Sequence, residues 1–194
     1  MDYFALKVRS DDGGRIDEYP CTGPILWKFA EGRSLAKDFP MGATVSFSDS
    51  HPERRSLYDF QPNLMRALLV SGRARKLIES LEVTNAEWLP VAIKDHKGKV
   101  IGPDYAFLNL LGAEDAIDLE RSVYKMSSLE KDQLSHIRKL VLKPDSISPH
   151  AKMFRCTMQR HFILIREDVH AAFVEAGLTG LKLYSLEEWR GQEL

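Results

Sequence analysis

The sequence predicts an α+β fold, a mainly antiparallel sheet with a few helices grouped to one side. Strand-like runs follow one another through the second half at Glu87–Lys94, Lys99–Leu110, Ile117–Tyr124, Ile137–Leu142, Met153–Cys156 and Phe162–Ile165. No helical segment separates them, and strands that succeed one another in this way pair antiparallel. Helical spacing of apolar residues occurs in only two regions, Pro62–Leu81 and Val169–Ala176. With 194 residues, 44% of them hydrophobic, the chain is long enough to bury roughly 70% of its unfolded surface.

Taken in order, Tyr3–Val8 reads as an opening strand, and Ser10–Glu18 as a polar turn carrying glycines and acids. Pro24–Phe29 reads as a second strand, which Pro20 and Pro24 confine to an edge or to irregular backbone. Ala43–Phe47 is a further short strand, and Ser48–Arg55 has loop composition. From Pro62, Leu64, Leu68 and Leu69 follow helical spacing, and Ser71 offers an N-cap before RARKLIESL, so two short helices or one bent helix are expected. Asp95-His96-Lys97-Gly98 turns Glu87–Lys94 back into Lys99–Leu110 as a hairpin. Near the end, Val169, Ala172, Phe173 and Ala176 form one apolar helical stripe. Gly177 then stands where a left-handed residue closes a helix, Leu178 can fold back on Phe173, and Leu181 and Leu183 begin a strand. The chain reads as one domain, 1–194, with a change of rhythm at Asn85 that would divide it into an N-terminal subdomain 1–84 and a C-terminal subdomain 85–194.

A net charge of −1, from 27 Lys and Arg against 28 Asp and Glu, supplies no global field for nucleic acid or an anionic membrane. The start, MDYFALKVRSDDGG, lacks the basic and apolar regions of a signal peptide, and no apolar run approaches the ~20 residues of a membrane span. The expectation is a cytoplasmic protein without a membrane partner, with Cys21 and Cys156 reduced.

The six histidines match no zinc spacing, and His150, His161 and His170 fall on different elements. Neither a phosphate-binding glycine loop nor a nucleophile elbow is present. Arg66, Arg73, Arg75 and Lys76 form a basic stretch on the expected helical segment, which a nucleic-acid-binding module would use against phosphates and which otherwise is a solvated face. In GAEDAIDLERSVY, Glu114, Asp115, Asp118 and Glu120 are the densest acidic group. They are the candidate partner-binding residues, against the plainer reading that they cap a turn and protect a strand edge. If Asp118 and Glu120 shared a strand face, segment 114–120 would suit a small enzyme or metal-dependent hydrolase.

The order of segments carries a resemblance. Leu89-Pro90-Val91 on a strand, then Leu119-Glu120-Arg121-Ser122, then a helix ending Ala176-Gly177-Leu178-Thr179-Gly180 resemble a bacterial family of immunity proteins of polymorphic toxin systems, long known only as a domain of unknown function. The resemblance spans most of the chain and is strongest from Ala86 to Trp189, the N-terminal strand and the Arg73–Leu81 helix fitting more loosely, and Arg166-Glu167-Asp168 departs from it where a serine cap is expected. It implies a cytosolic, non-enzymatic inhibitor that covers a surface of its cognate toxin and uses no catalytic residue, metal or cofactor.

Overall fold

In a computed structural model, residues 2–9, 13–20, 23 and 26–190 are described. Among the described residues, eleven strands form three sheets, accompanied by two α-helices. The strands are β1 (Tyr3–Val8), β2 (Thr44–Ser46), β3 (Phe60–Gln61), β4 (Leu68–Ser71), β5 (Ala86–Lys94), β6 (Val100–Leu110), β7 (Val123–Met126), β8 (Leu134–Lys139), β9 (Met153–Cys156), β10 (Gln159–Arg166) and β11 (Leu181–Ser185). The helices are α1 (Gly72–Ser80) and α2 (Glu167–Glu175). One sheet has the order β11-β1-β10-β9, a second β2-β5-β6-β4-β3, and β7 pairs with β8 alone. All these pairings are antiparallel except β2 with β5. The fold is α+β. Both larger sheets draw strands from either side of Asn85.

Three hydrophobic clusters explain the stacking. Leu6, Ile163 and Ile165 of the four-stranded sheet meet Leu68, Val70 and Leu108 of the five-stranded sheet, and the helices add Ala74, Ile78, Val169 and Phe173 to the same cluster. On the far side of the four-stranded sheet, Ala5, Phe154, Phe162 and Leu164 pack on Leu134 and Ile137 of the β7–β8 hairpin and on Trp189. On the far side of the five-stranded sheet, Leu69, Leu89, Val91 and Phe107 pack on Ile16, Phe29, Leu35 and Phe47 from the irregular N-terminal chain. Each large sheet is therefore covered on both faces.

That double cover accounts for the expected helix that is not there. Residues 62–67 form a turn, and Leu68, Leu69 and Val70 are consecutive buried strand residues whose side chains serve opposite faces. The spacing of Leu64, Leu68 and Leu69 is not a helical stripe, and Leu64 is 52% exposed. Only the second half of that region is helical, from Ser71, whose hydroxyl accepts a hydrogen bond from Ala74 N at 3.2 Å. At Pro24–Phe29 the described residues take the irregular alternative rather than an edge strand: Pro24 and Ile25 lie outside the described residues, and Leu26–Ala30 is a 3₁₀ turn that buries Phe29 against Phe107. Cys21 and Ser10–Asp12 lie outside them too, whereas Cys156 is a free, buried thiol. Of the strand expected at Ile117–Tyr124, only Val123 and Tyr124 belong to β7, and Ile117 makes a single bridge to Leu142. β8 begins three residues before the expected Ile137.

The helix-to-strand junction after α2 forms as its sequence requires. Gly177 has φ +58°, its N–H donates to Val174 O at 3.0 Å, and Leu178 N donates to Phe173 O at 3.1 Å. At the other end Arg166 makes no side-chain cap, but its guanidinium grips both carboxylate oxygens of Asp168 at 2.7 and 2.6 Å. Glu167 and Asp168 in the first turn complement the positive end of the helix dipole. A Cβ on Gly177 would meet nothing within 4 Å. Gly177→Ala is therefore expected to cost about 1 kcal/mol, from the left-handed backbone alone, and to lower Tm by about 2–4 °C in a thermal melt. Among the described residues, no helix is long and apolar enough to cross a membrane.

Candidate functional site

The acidic segment is a turn pinned to the four-stranded sheet. Glu114 N donates to Arg155 O at 2.9 Å, Thr157 N donates to Glu114 O at 3.0 Å, and the Glu114 carboxylate accepts from Ser148 N at 3.1 Å. Asp115 receives Lys143 Nζ at 2.7 Å while its side chain stays 65% exposed. Asp118 accepts from Glu120 N at 3.0 Å and Arg121 N at 3.1 Å, the local bonding by which an aspartate opens a turn. Asp118 and Glu120 thus do not share a strand face. Glu120 is exposed. Ser122 closes the turn onto Val141, accepting from its N–H at 2.9 Å. Glu114 and Asp118 are occupied by backbone donors, and Asp115 and Glu120 present their charges to solvent. Among the described residues no group of three or more His, Cys, Asp or Glu converges as metal ligands would.

A second surface lay outside the reach of sequence patterns. Two cavities, of about 730 and about 340 Å³, share Arg66, His161 and Trp189 and so form one groove. One wall is β10. The opposite end is the β7–β8 hairpin, held by Gln159 Nε2 donating to Leu134 O at 2.6 Å and Gln133 Nε2 donating to Thr157 O at 3.0 Å. Trp189 is locked by its Nε1–H on Ile137 O at 2.7 Å and by an edge-on contact with Phe162 at 4.9 Å. The larger cavity carries Arg160 and His136 as well as Glu31 and Glu130. The smaller is lined by Lys7, Arg9, Arg15, Arg54 and Arg66. A third cavity, of about 460 Å³, has the opposite character, with Asp17, Glu18, Asp49, Asp95 and His96 in its lining.

The groove's positive field registers on His161. Burial lowers its pKa from the ordinary value, and Arg155, Arg66 and Arg160 lower it further against Glu130, which raises it, so the imidazole is neutral at neutral pH. Arg155 lies on β9 with only 2% of its surface exposed, and burial pushes its pKa down to about 10. Its Nη1 donates to Arg160 O at 2.9 Å, and its Nε has no hydrogen-bond partner.

The basic stretch read from the sequence is dispersed. Arg66 belongs to the turn before β4, not to a helix. Arg73 pairs with Asp59 at 2.6 Å, and Arg75 pairs with Glu79 at 2.8 Å and covers the Trp88 ring at 5.2 Å. Of the three late histidines, His170 stacks on Phe4 at 3.8 Å, and only His161 reaches a cavity. At the groove, Arg66 is a non-glycine residue at φ +53°.

A family model described as an immunity protein family (Imm11) matches residues 7–188. No curated protein matches the chain.

Proposed function

The chain belongs to the Imm11 immunity protein family, and from that premise we propose that it binds a cognate bacterial toxin and neutralises it by covering a toxin surface, without catalysis of its own. The observation that carries this reading is the extent of the match, residues 7–188, which takes in every sheet and both helices. The interleaving of strands from both sides of Asn85 supports treating the chain as a single binding domain. Co-expression with the toxin encoded beside it is expected to restore growth of the poisoned host and to yield a complex that co-purifies. Absence of both protection and complex with any neighbouring toxin overturns the proposal.

For the contact surface, the acidic turn is the first candidate. Toxins that act on nucleic acids or nucleotides have basic clefts, and a local negative patch steers such a partner even when net charge is near zero. Asp115 and Glu120 are the exposed members of the group Glu114, Asp115, Asp118 and Glu120. Reversing both, Asp115→Lys with Glu120→Lys, removes one exposed ion pair to Lys143, and such pairs are worth about 0–1 kcal/mol. The fold is expected to persist, while association with the toxin slows by about tenfold at low ionic strength and loses most of its salt dependence. Unchanged association kinetics in stopped-flow measurements would return these acids to the role of turn residues.

A further inference from the structure

The groove around Arg66 concentrates positive charge in a protein whose net charge is −1. Arg15, Arg54 and Arg66 line its smaller cavity beside Lys7 and Arg9, which have interactions of their own. Arg15 is paired with the partly buried Asp17 at 3.0 Å, and Arg54 has Glu53 at 3.7 Å in an exposed pair of the kind that water screens. Arg66 forms no salt bridge among the described residues. Its backbone is held at φ +53°, a region that costs any residue with a Cβ and persists only where the surroundings enforce it. The chain thus holds a cation without a salt bridge in a costly backbone conformation at the shared edge of the two cavities, the larger of which also carries Glu31 and Glu130. Beneath it the floor is apolar, formed by Ala67, Leu68, Phe162 and Ile163.

We propose that this groove docks a carboxylate-rich segment of the partner toxin, an inference that rests on the immunity reading and adds a second contact of opposite charge to the acidic turn. Joined cavities of about 730 and about 340 Å³ are larger than one small anion fills and fit a run of several side chains. The carboxylates of such a segment would meet the guanidinium groups of Arg66 and Arg160. A nucleic acid strand would need exposed aromatic faces on which to stack its bases. The groove's Phe162 and Trp189 are each only 2% exposed, and Trp189 is held by its own hydrogen bond. Neutral His161 adds a hydrogen-bonding group without a second charge to satisfy.

Arg66→Gly tests this cleanly, because it removes the cation and relieves the left-handed strain together. Tm is expected to stay level or rise, so weakened binding would not be a loss of fold. Arg160→Gln, at an exposed position whose backbone alone is engaged, gives an independent second variant. In fluorescence polarisation at low ionic strength, a short labelled glutamate-rich peptide should bind the wild-type chain. The double variant should bind it about tenfold more weakly and should release the toxin faster in a dissociation measurement. Equal toxin affinity in wild type and double variant overturns the inference while leaving the immunity reading intact. Failure of the wild type itself to bind the toxin overturns the immunity reading instead. An oligothymidylate of the same length binding more tightly than the peptide overturns the inference in favour of nucleic acid. Self-association that disappears in the variant overturns it in favour of a second copy, whose own acidic turn would be the occupant.

Discussion

Replacing Asp59 by alanine is expected to destabilise the protein by about 3 kcal/mol, at the low end of the cost of breaking a buried charge pair. Asp59 is 8% exposed and collects five donors. Arg73 supplies two of them, at 3.1 and 2.6 Å, Ser71 Oγ one at 2.8 Å, and Thr179 its N–H and hydroxyl, each at 3.0 Å. Arg73 reaches on to Ala176 O at 3.0 Å and Gly177 O at 3.1 Å. One carboxylate therefore joins β3, the start of α1 and the end of α2. Alanine leaves the Ser71 hydroxyl and the Thr179 amide without this acceptor, whereas the half-exposed Arg73 can turn to water, which keeps the cost from being larger. A fall in Tm of about 6–12 °C follows for a domain of this size. Asp59→Asn, which keeps the shape and part of the bonding, should cost less.

The same network sets a pH dependence. Burial alone would raise the Asp59 pKa, but hydrogen bonds from Arg73, Ser71 and Thr179 outweigh it and bring the carboxyl from 3.8 to about 2. The folded pKa lies below the unfolded one, so the stabilisation is fully present above about pH 4 and is lost as pH falls towards 2. It amounts to roughly 2 kcal/mol. Glu87 and Asp168 have lowered pKa values for related reasons and will add to the acid sensitivity. Asp59→Asn should flatten the wild-type decline in urea midpoint over that interval by Asp59's share. An unchanged decline would show that other carboxylates carry it.

Where local chemistry dictates local shape, the sequence was sufficient. Tyr3–Val8 and Met153–Cys156 lie within their expected limits, and the β5–β6 hairpin follows from Asp95, which accepts from Lys97 N and Lys99 N at 2.9 Å, and from Gly98 at φ +77°. Pro90 is tolerated inside β5 because β2 pairs only with Ala92–Lys94 and leaves that side open at Pro90. Elements were misread where long-range packing overrode the pattern. β4 is covered on both faces, which erases the period of two and lets Leu64, Leu68 and Leu69 imitate a helix. Asp118 bonds its own backbone and turns the chain where an apolar count suggests a strand. The groove has no local signature, because Arg66, His161 and Trp189 come from three separate segments joined only by the topology. The motif Ala176–Gly180, by contrast, carries the resemblance to the family and is explained by the fold it builds.

Gly180→Ala is expected to be the other large effect, and it separates two reasons for a glycine. Gly177 and Gly180 have nearly the same backbone, φ +58° and φ +79°, so alanine at either meets the left-handed penalty of about 1 kcal/mol. Their surroundings differ. A Cβ on Gly180 would collide with Phe60 O and lie 2.7 Å from Tyr58 Cβ, and neither atom is the end of a flexible side chain. Nor can the junction slide away, because Thr179 O accepts from Phe60 N at 2.9 Å and Gly180 O accepts from Arg9 N at 2.9 Å. Making room must move β3 or break one of these bonds, which adds a packing cost of about 1–3 kcal/mol. The total is about 3 kcal/mol, and Tm should fall by about 6–12 °C against about 2–4 °C for Gly177→Ala. Equal losses at the two positions would mean that backbone conformation alone explains both glycines and that the contact with Phe60 relaxes freely. Toxin protection by Gly180→Ala should track its folded fraction. If protection disappears while the variant is fully folded, this junction belongs to the toxin interface as well as to the scaffold.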